Sequence, residues 1–245
     1  MFDAHRHLPV SGEHRPSHGQ HIWFATSGPD EWALFQTLSS PPQWKHGYGL
    51  LPQWLSEHPH DQMAIFDMVA HVEALLRHDP HGYIGEIGLD ERFAHLVPLD
   101  VQLSIAGRLL DLADRANRPV AIHHVGSTSL LENLLESADV EIPIIVHGYL
   151  GSVETARQLS NRGCTISIGP NVWTHQTKLG KRLAEIDIPF VLETDYPHVP
   201  DLVSQASGYE QILASHYREV AHRLHLEQTD LEEKMHGLAT ILTNW

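Results

Sequence analysis

Along the chain, short apolar runs alternate with loops of polar or glycine residues and with longer stretches in which apolar side chains recur every three or four positions. That alternation predicts repeated β-loop-α units. The short runs are Phe2–His5, Ile22–Thr26, Gly47–Leu51, Gly82–Gly85, Val120–His123, Ile144–His147, Cys164–Ile168 and Phe190–Asp195, eight in all. Helical spacing is well marked over Asp61–His78, Val101–Asn117, Ser152–Asn161 and Tyr209–His225, and Leu231–Trp245 reads as a last helix against the bottom or side of the domain. Ser127 and Ser152 stand where N-caps of helices belong. Eight strands interleaved with helices predict an α/β fold of the TIM-type (β/α) barrel class. A barrel commonly takes about 250 residues, so the 245 residues predict one domain over 1–245.

The first unit departs from the pattern. Pro9, Gly12, Pro16 and Gly19 fall between His7 and Ile22, a composition that does not support an ordinary crossover helix. The expectation is a first helix reduced to a turn or missing, and a barrel distorted on that side.

Composition narrows the function classes. No run of 18 apolar residues occurs, which predicts no membrane-spanning helix. Met1-Phe2-Asp3-Ala4-His5 lacks the apolar segment of a secretory signal, so the expected location is the cytoplasm. The lone cysteine, Cys164, lies in a strand-like run and reads as a packing residue. Acidic residues outnumber basic ones 31 to 16, a formal net charge of -15 that works against general attraction to nucleic acid. Any nucleic-acid substrate must therefore be gripped locally, with bound cations offsetting the charge.

With 21 histidines in the chain, position selects those that carry chemistry. Active sites of (β/α) barrels collect at the C-terminal ends of strands, and those ends carry His5, His7, Glu86, His123, His147 and Asp195. All six are ligand types for borderline or hard divalent ions. His5 and His7 are two residues apart, so a strand points both to one side. Alone, the pair equally describes two solvated histidines. Glu86 follows Gly82-Tyr83-Ile84-Gly85, where a buried carboxylate needs a cation; a metal or a salt bridge to Arg92 or another basic residue would satisfy it, and its two oxygens suit it to bridge two ions. His123 and His147 each close an apolar strand that follows a proline. Asp195 can ligate an ion and accept a proton from the attacking water, or simply cap the loop. Strand alternation turns Glu193 to the opposite side, toward packing or a structural hydrogen bond. Arg92 and Arg6 are the basic candidates for substrate contact, and His124, His175 and His198 have no assigned role.

Taken in order, Asp-Ala-His-Arg-His, Gly-Glu-Ile-Gly-Leu-Asp, Pro-Val-Ala-Ile-His, Ile-Val-His-Gly-Tyr-Leu-Gly-Ser, Ile-Ser-Ile-Gly and Leu-Glu-Thr-Asp-Tyr-Pro resemble the TatD family from Phe2 to about Pro197. The resemblance implies a metal-dependent hydrolase of the amidohydrolase superfamily, several members of which are deoxyribonucleases. It places His5, His7, Glu86 and Asp195 on one divalent ion and Glu86, His123 and His147 on a second. Zinc, magnesium, manganese or iron all suit the donors. Asp195 and Glu86 are the expected catalytic groups, and single-stranded DNA ends or a small phosphoester the expected substrate. A small amide or lactone, or a non-enzymatic metal-binding role, are the alternatives. The chain departs from the family where a Ser-Arg pair usually follows the first of these strand-end histidines: here His124 and Val125 follow His123. Gly49-Leu50-Leu51-Pro52 likewise lacks the histidine of the family's Gly-Ile-His-Pro segment.

Overall fold

Strand β4, Gly82–Asp90, is buried at all nine positions, as expected of a parallel strand covered on both faces. It belongs to an eight-stranded sheet whose strands hydrogen-bond in chain order: β1 Phe2–His7, β2 His21–Ala25, β3 Trp44–Gly47, β4, β5 Val120–Val125, β6 Ile144–Val146, β7 Cys164–Ile168 and β8 Phe190–Leu192. The β3–β4, β4–β5 and β7–β8 pairs are parallel. This computed structural model describes residues 1–8, 19–37, 41–58, 61–138, 140–174, 176–199 and 208–243. The expected loss of the first crossover helix falls on residues 9–18, outside the described residues, as do His175 and residues 244–245.

The helices are α1 Pro29–Thr37, α2 Pro52–Glu57, α3 Gln62–His78, α4 Leu99–Ala116, α5 Thr128–Ala138, α6 Val153–Asn161, α7 Lys178–Lys181, α8 Tyr209–Arg223 and α9 Gln228–Thr243. Local chemistry sets their ends. The Asp61 carboxylate accepts from Ala64 N to start α3, the Ser152 hydroxyl accepts from Thr155 N to start α6, and Asn117 closes α4 in the left-handed conformation. None of the described helices is long and apolar enough to cross a membrane.

Contacts divide the chain into two compact units. One comprises Met1–Phe24, Pro41–Trp44 and Ile145–Asn244, the other Ala25–Ser40 and Lys45–Ile144. In the first, α9 packs on β1 and β8. Its interior includes Phe2, Trp23, Phe24, Phe190 and Tyr217, and the Tyr217 hydroxyl donates to Phe2 O at 2.7 Å. Cys164 is buried there, and burial pushes its thiol up to about 11, so it packs as a neutral group.

In the second unit α4 covers β4 and packs on α3 and α5. Here two sequence readings need correction. The strand expected at Gly47–Leu51 runs instead from Trp44 to Gly47, although Tyr48 N→Tyr83 O and Leu50 N→Glu86 O continue the pairing. A Cβ on Gly49 would lie 2.0 Å from Thr26 O and 2.2 Å from Glu86 N, so the chain passes Glu86 at a distance only glycine permits. β4 in turn outruns its expected end at Gly85 by five residues, because the pairing of β4 with β5 shifts register between Ile84 and Ile87 and then continues to Asp90.

Candidate metal centre

Within the first unit, the end of β1 and the chain after β8 converge. Asp195 N donates to His5 O at 2.9 Å and His7 N to Tyr196 O at 2.7 Å. The Asp3 carboxylate locks the same junction, accepting from Thr194 N at 2.9 Å and Thr194 Oγ1 at 2.7 Å. Burial raises the Asp3 pKa to about 6, against the pull of Thr194 and Arg6. Asp195 itself has φ 55°, the left-handed region that Asp enters more readily than most residues. The result is a triad: His5, His7 and Asp195 each offer a donor atom, all within 4.8 Å of one another.

The separations discriminate between hydrogen bonding and shared coordination. His7 Nε2 is 3.6 Å and His5 Nε2 3.9 Å from Asp195 Oδ1, too long for hydrogen bonds. Two ligands about 2.1 Å from one tetrahedral ion sit about 3.4 Å apart. The donor set therefore fits a divalent cation. His147 belongs to the same unit; its ring stacks on His5 at 4.0 Å. Its Nδ1 lies 3.5 Å from Glu193 Oε1.

Glu193 is the correction here. It stands two residues before Asp195, a spacing that an extended strand turns to one side and not to opposite sides. Its buried carboxylate accepts from Gly148 N at 2.9 Å and from the Ser167 hydroxyl, and faces His147 rather than turning away. Burial alone would raise its pKa, but His147 and then His5 hold it below the usual glutamate value. The expected structural hydrogen bond is present, with the added effect of orienting an imidazole. His198, exposed, sets its ring edge-on against His7 at 4.9 Å.

In the second unit the ends of β4 and β5 bring together Glu86, Asp90 and His123. Glu86 is 2% exposed, and its Oε1 lies 2.8 Å from His123 Nδ1. The other imidazole nitrogen, Nε2, lies 3.0 Å from Asp90 Oδ2. Asp90 thus fixes the ring from behind, as carboxylates do for metal-ligating histidines. Arg92 pairs with Asp90, and the basic group beside Glu86 is the His123 imidazole, so the salt-bridge alternative stands with His123 in the place of Arg92. Burial would raise the Asp90 pKa; hydrogen bonds from His123 and Arg92 overcome it and hold the carboxyl well below the usual range. His124, half-buried behind His123, has its pKa lowered by burial and then by the His123 charge.

Two supporting residues escaped the sequence reading. Asp90 ends the Gly-Glu-Ile-Gly-Leu-Asp motif, and its position after an apolar strand was the available signal. Gln102 left none. It occupies α4 as a polar residue yet is buried, donating to Asp90 O at 3.1 Å and Val97 O at 2.8 Å while accepting from Asp90 N at 2.7 Å. Arg6 also departs from expectation. Its side chain is fully buried among Phe24, Tyr196 and Tyr209, with the guanidinium 3.9 Å from the Tyr209 ring centre, so it cannot reach substrate.

The chain is similar to known proteins over most of its length. The sequence model of the family described as TatD related DNase matches residues 45–242. An uncharacterized metal-dependent hydrolase of Haemophilus influenzae is 26% identical over 179 residues, 69% of this chain and 66% of its own length. Another, from Methanocaldococcus jannaschii, is 28% identical over 59% of this chain and 57% of its own length. The chain thus aligns with slightly under two thirds of the first relative and less of the second. Among solved structures, the TatD homologue YjjV of Escherichia coli superposes with a TM-score of 0.81 at 20% identity, covering 100% of this chain and 98% of that one. A hydrolase TatD family protein of Entamoeba histolytica gives 0.75 at 17% identity, over 98% and 97%. The fold is accordingly the TIM-type (β/α) barrel expected from the strand count, and the chain belongs to the TatD family.

Proposed function

We propose that this chain is a metal-dependent phosphodiesterase that hydrolyses DNA at single-stranded ends, using water activated at two divalent ions. The observation that carries the reading is the His5–His7–Asp195 triad, with donors spaced for a shared cation and not for one another. The family resemblance adds Glu86 to that ion and assigns a second to Glu86, His123 and His147.

A divalent ion lowers the pKa of water from 15.7 toward about 7 and offsets charge on phosphoryl oxygens. The residues supply the rest. His5 and His7 are held in place by β1, and Asp195 by its bond to His5 O. Asp195 accepts the proton of the attacking water as the new phosphorus–oxygen bond forms; the bond to the leaving ester oxygen breaks, and that oxygen takes a proton from solvent. Asp90 and Glu193 keep His123 and His147 in the ring orientations they have here.

The test is an assay of the full chain on labelled single-stranded oligonucleotides with magnesium, manganese or zinc, beside a panel of neutral esters and lactones. The proposal predicts metal-dependent cleavage of the oligonucleotide, lowered by about 10²–10⁴ in Asp195→Asn. Turnover of the neutral panel alone would refute it in favour of a small-molecule hydrolase, and turnover of neither would remove the enzyme reading.

A further inference from the structure

Arg92 is paired with a buried carboxylate. It lies in the 3₁₀ turn Glu91–Phe93, directly after β4. Asp90 grips it through one edge of the guanidinium: Nε is 2.9 Å from Oδ1 and 3.1 Å from Oδ2, and Nη2 is 2.6 Å from Oδ2. The backbone of the turn is fixed as well, since Arg92 N donates to Asp90 Oδ1 at 3.0 Å and the neighbouring Glu91 Oε1 accepts from Ser127 N at 3.0 Å. Asp90 is itself fixed by Gln102 and faces His123. The chain Glu86–His123–Asp90–Arg92 is therefore one connected assembly within the second unit.

An ordinary surface salt bridge involves two mobile side chains and orders little. Here one partner is not mobile: the Asp90 side chain is 2% exposed while that of Arg92 is 63% exposed. A guanidinium carries five N–H donors in a fixed fork. The Asp90 contacts occupy the Nε–Nη2 edge of a side chain that is largely exposed, which leaves the Nη1–Nη2 edge for a ligand. That edge matches two oxygens of a phosphate or carboxylate in bidentate geometry. Rigid placement removes much of the rotamer entropy that an arginine ordinarily loses on binding. In a chain of net charge -15, such a fixed cation beside a histidine–carboxylate site is the local grip an anionic substrate requires.

The geometry points to Arg92 as the residue that binds the anionic group of the substrate, through its Nη1–Nη2 edge and beside His123. This inference rests on the phosphodiesterase reading for the substrate's identity, but its binding component is measurable without turnover. It also separates the two basic candidates of the sequence, since Arg6 is enclosed by aromatic rings and Arg92 is open.

The experiment compares the metal-loaded full chain with Arg92→Gln and Arg92→Lys in three readouts: metal content, affinity for inorganic phosphate by calorimetry, and hydrolysis of bis(p-nitrophenyl) phosphate against neutral p-nitrophenyl acetate. Loss of a charge-assisted bidentate contact predicts phosphate binding weaker by about 10- to 100-fold in Arg92→Gln. A comparable rise in KM for the anionic diester should accompany it, with metal content and the rate on the neutral ester unchanged. Arg92→Lys should recover part of the affinity, as a point charge without the fork. Phosphate affinity equal in wild type and Arg92→Gln would overturn the inference; so would parallel losses on both substrates or loss of metal, which mark a purely structural role through Asp90. If wild type cleaves no diester yet phosphate binding still depends on Arg92, the hydrolase reading fails and the anion contact stands.

Discussion

His216 tests how far burial controls the support of the site. It sits in α8, fully enclosed, with Nε2 2.7 Å from Ile168 O and Nδ1 accepting from Trp173 Nε1 at 3.3 Å. The neutral ring satisfies both contacts with one tautomer; a second proton, on Nδ1, would break the Trp173 bond and leave a charge inside the protein. Burial lowers the pKa from 6.5 to about 4, only partly countered by Ile168 O. Because the folded value lies below the unfolded one, the unfolded chain takes up a proton between these limits that the folded chain refuses. Stability from this group is whole above about pH 6.5 and falls as pH drops toward 4. The gap, at about 1.4 kcal/mol per pH unit, is about 3 kcal/mol, most of it already lost at pH 4.5. His216→Gln keeps a donor for Ile168 O and an acceptor for Trp173 but never charges. Urea unfolding of both proteins at pH 7.5, 6.0 and 4.5, with chelator present, isolates the term, because other groups such as Asp3 titrate in both. The variant should be somewhat less stable than wild type at pH 7.5 and lose about 2–3 kcal/mol less than wild type on acidification to pH 4.5. Parallel pH profiles would refute the reasoning.

Three further outcomes follow from the geometry. Gly88 has φ +143°, and a Cβ there would lie 2.0 Å from His123 O, so Gly88→Ala should unfold at a markedly lower temperature, by more than about 3 kcal/mol in urea titration, or fail to accumulate. Glu193→Gln keeps a side chain that can accept from Gly148 N but removes the charge facing His147; metal affinity measured with a competing chelator should fall about 10- to 100-fold with little change in secondary structure by circular dichroism. Arg182→Ala removes exposed ion pairs with Glu154 and Glu185, and its thermal midpoint should match wild type, since solvent screens such pairs.

The sequence made the repeating architecture legible because parallel strands buried on both faces are short apolar runs and covering helices carry an apolar stripe. β7 matches its expected bounds of Cys164–Ile168. α3 begins one residue after Asp61, which caps it. Two helices were harder to read: α2 spans six residues, too few turns for a periodic signal to stand out, and α1, though as long as α6, carries a much weaker apolar stripe. At the site, ligand types at strand ends were visible, and the structure collects His5, His7, His147 and Asp195 in one unit and Glu86 with His123 in the other. What escaped was the supporting layer. Asp90 and Gln102 act through a register shift in β4 and a buried amide, and neither leaves a periodic trace. Glu193 was turned to the wrong side although it stands two residues from Asp195, the same spacing that sets His5 and His7 on one side of β1.

The central claim is that His5, His7 and Asp195 are ligands to a cation. Metal analysis of the full chain purified without chelator, with anomalous diffraction at the edge of the metal found, addresses it directly. The account predicts a divalent ion within about 2.3 Å of His5, His7 and Asp195, lost in Asp195→Ala. A chain that takes up no ion when supplied with zinc, manganese, iron or magnesium, or that binds one only elsewhere, would contradict it.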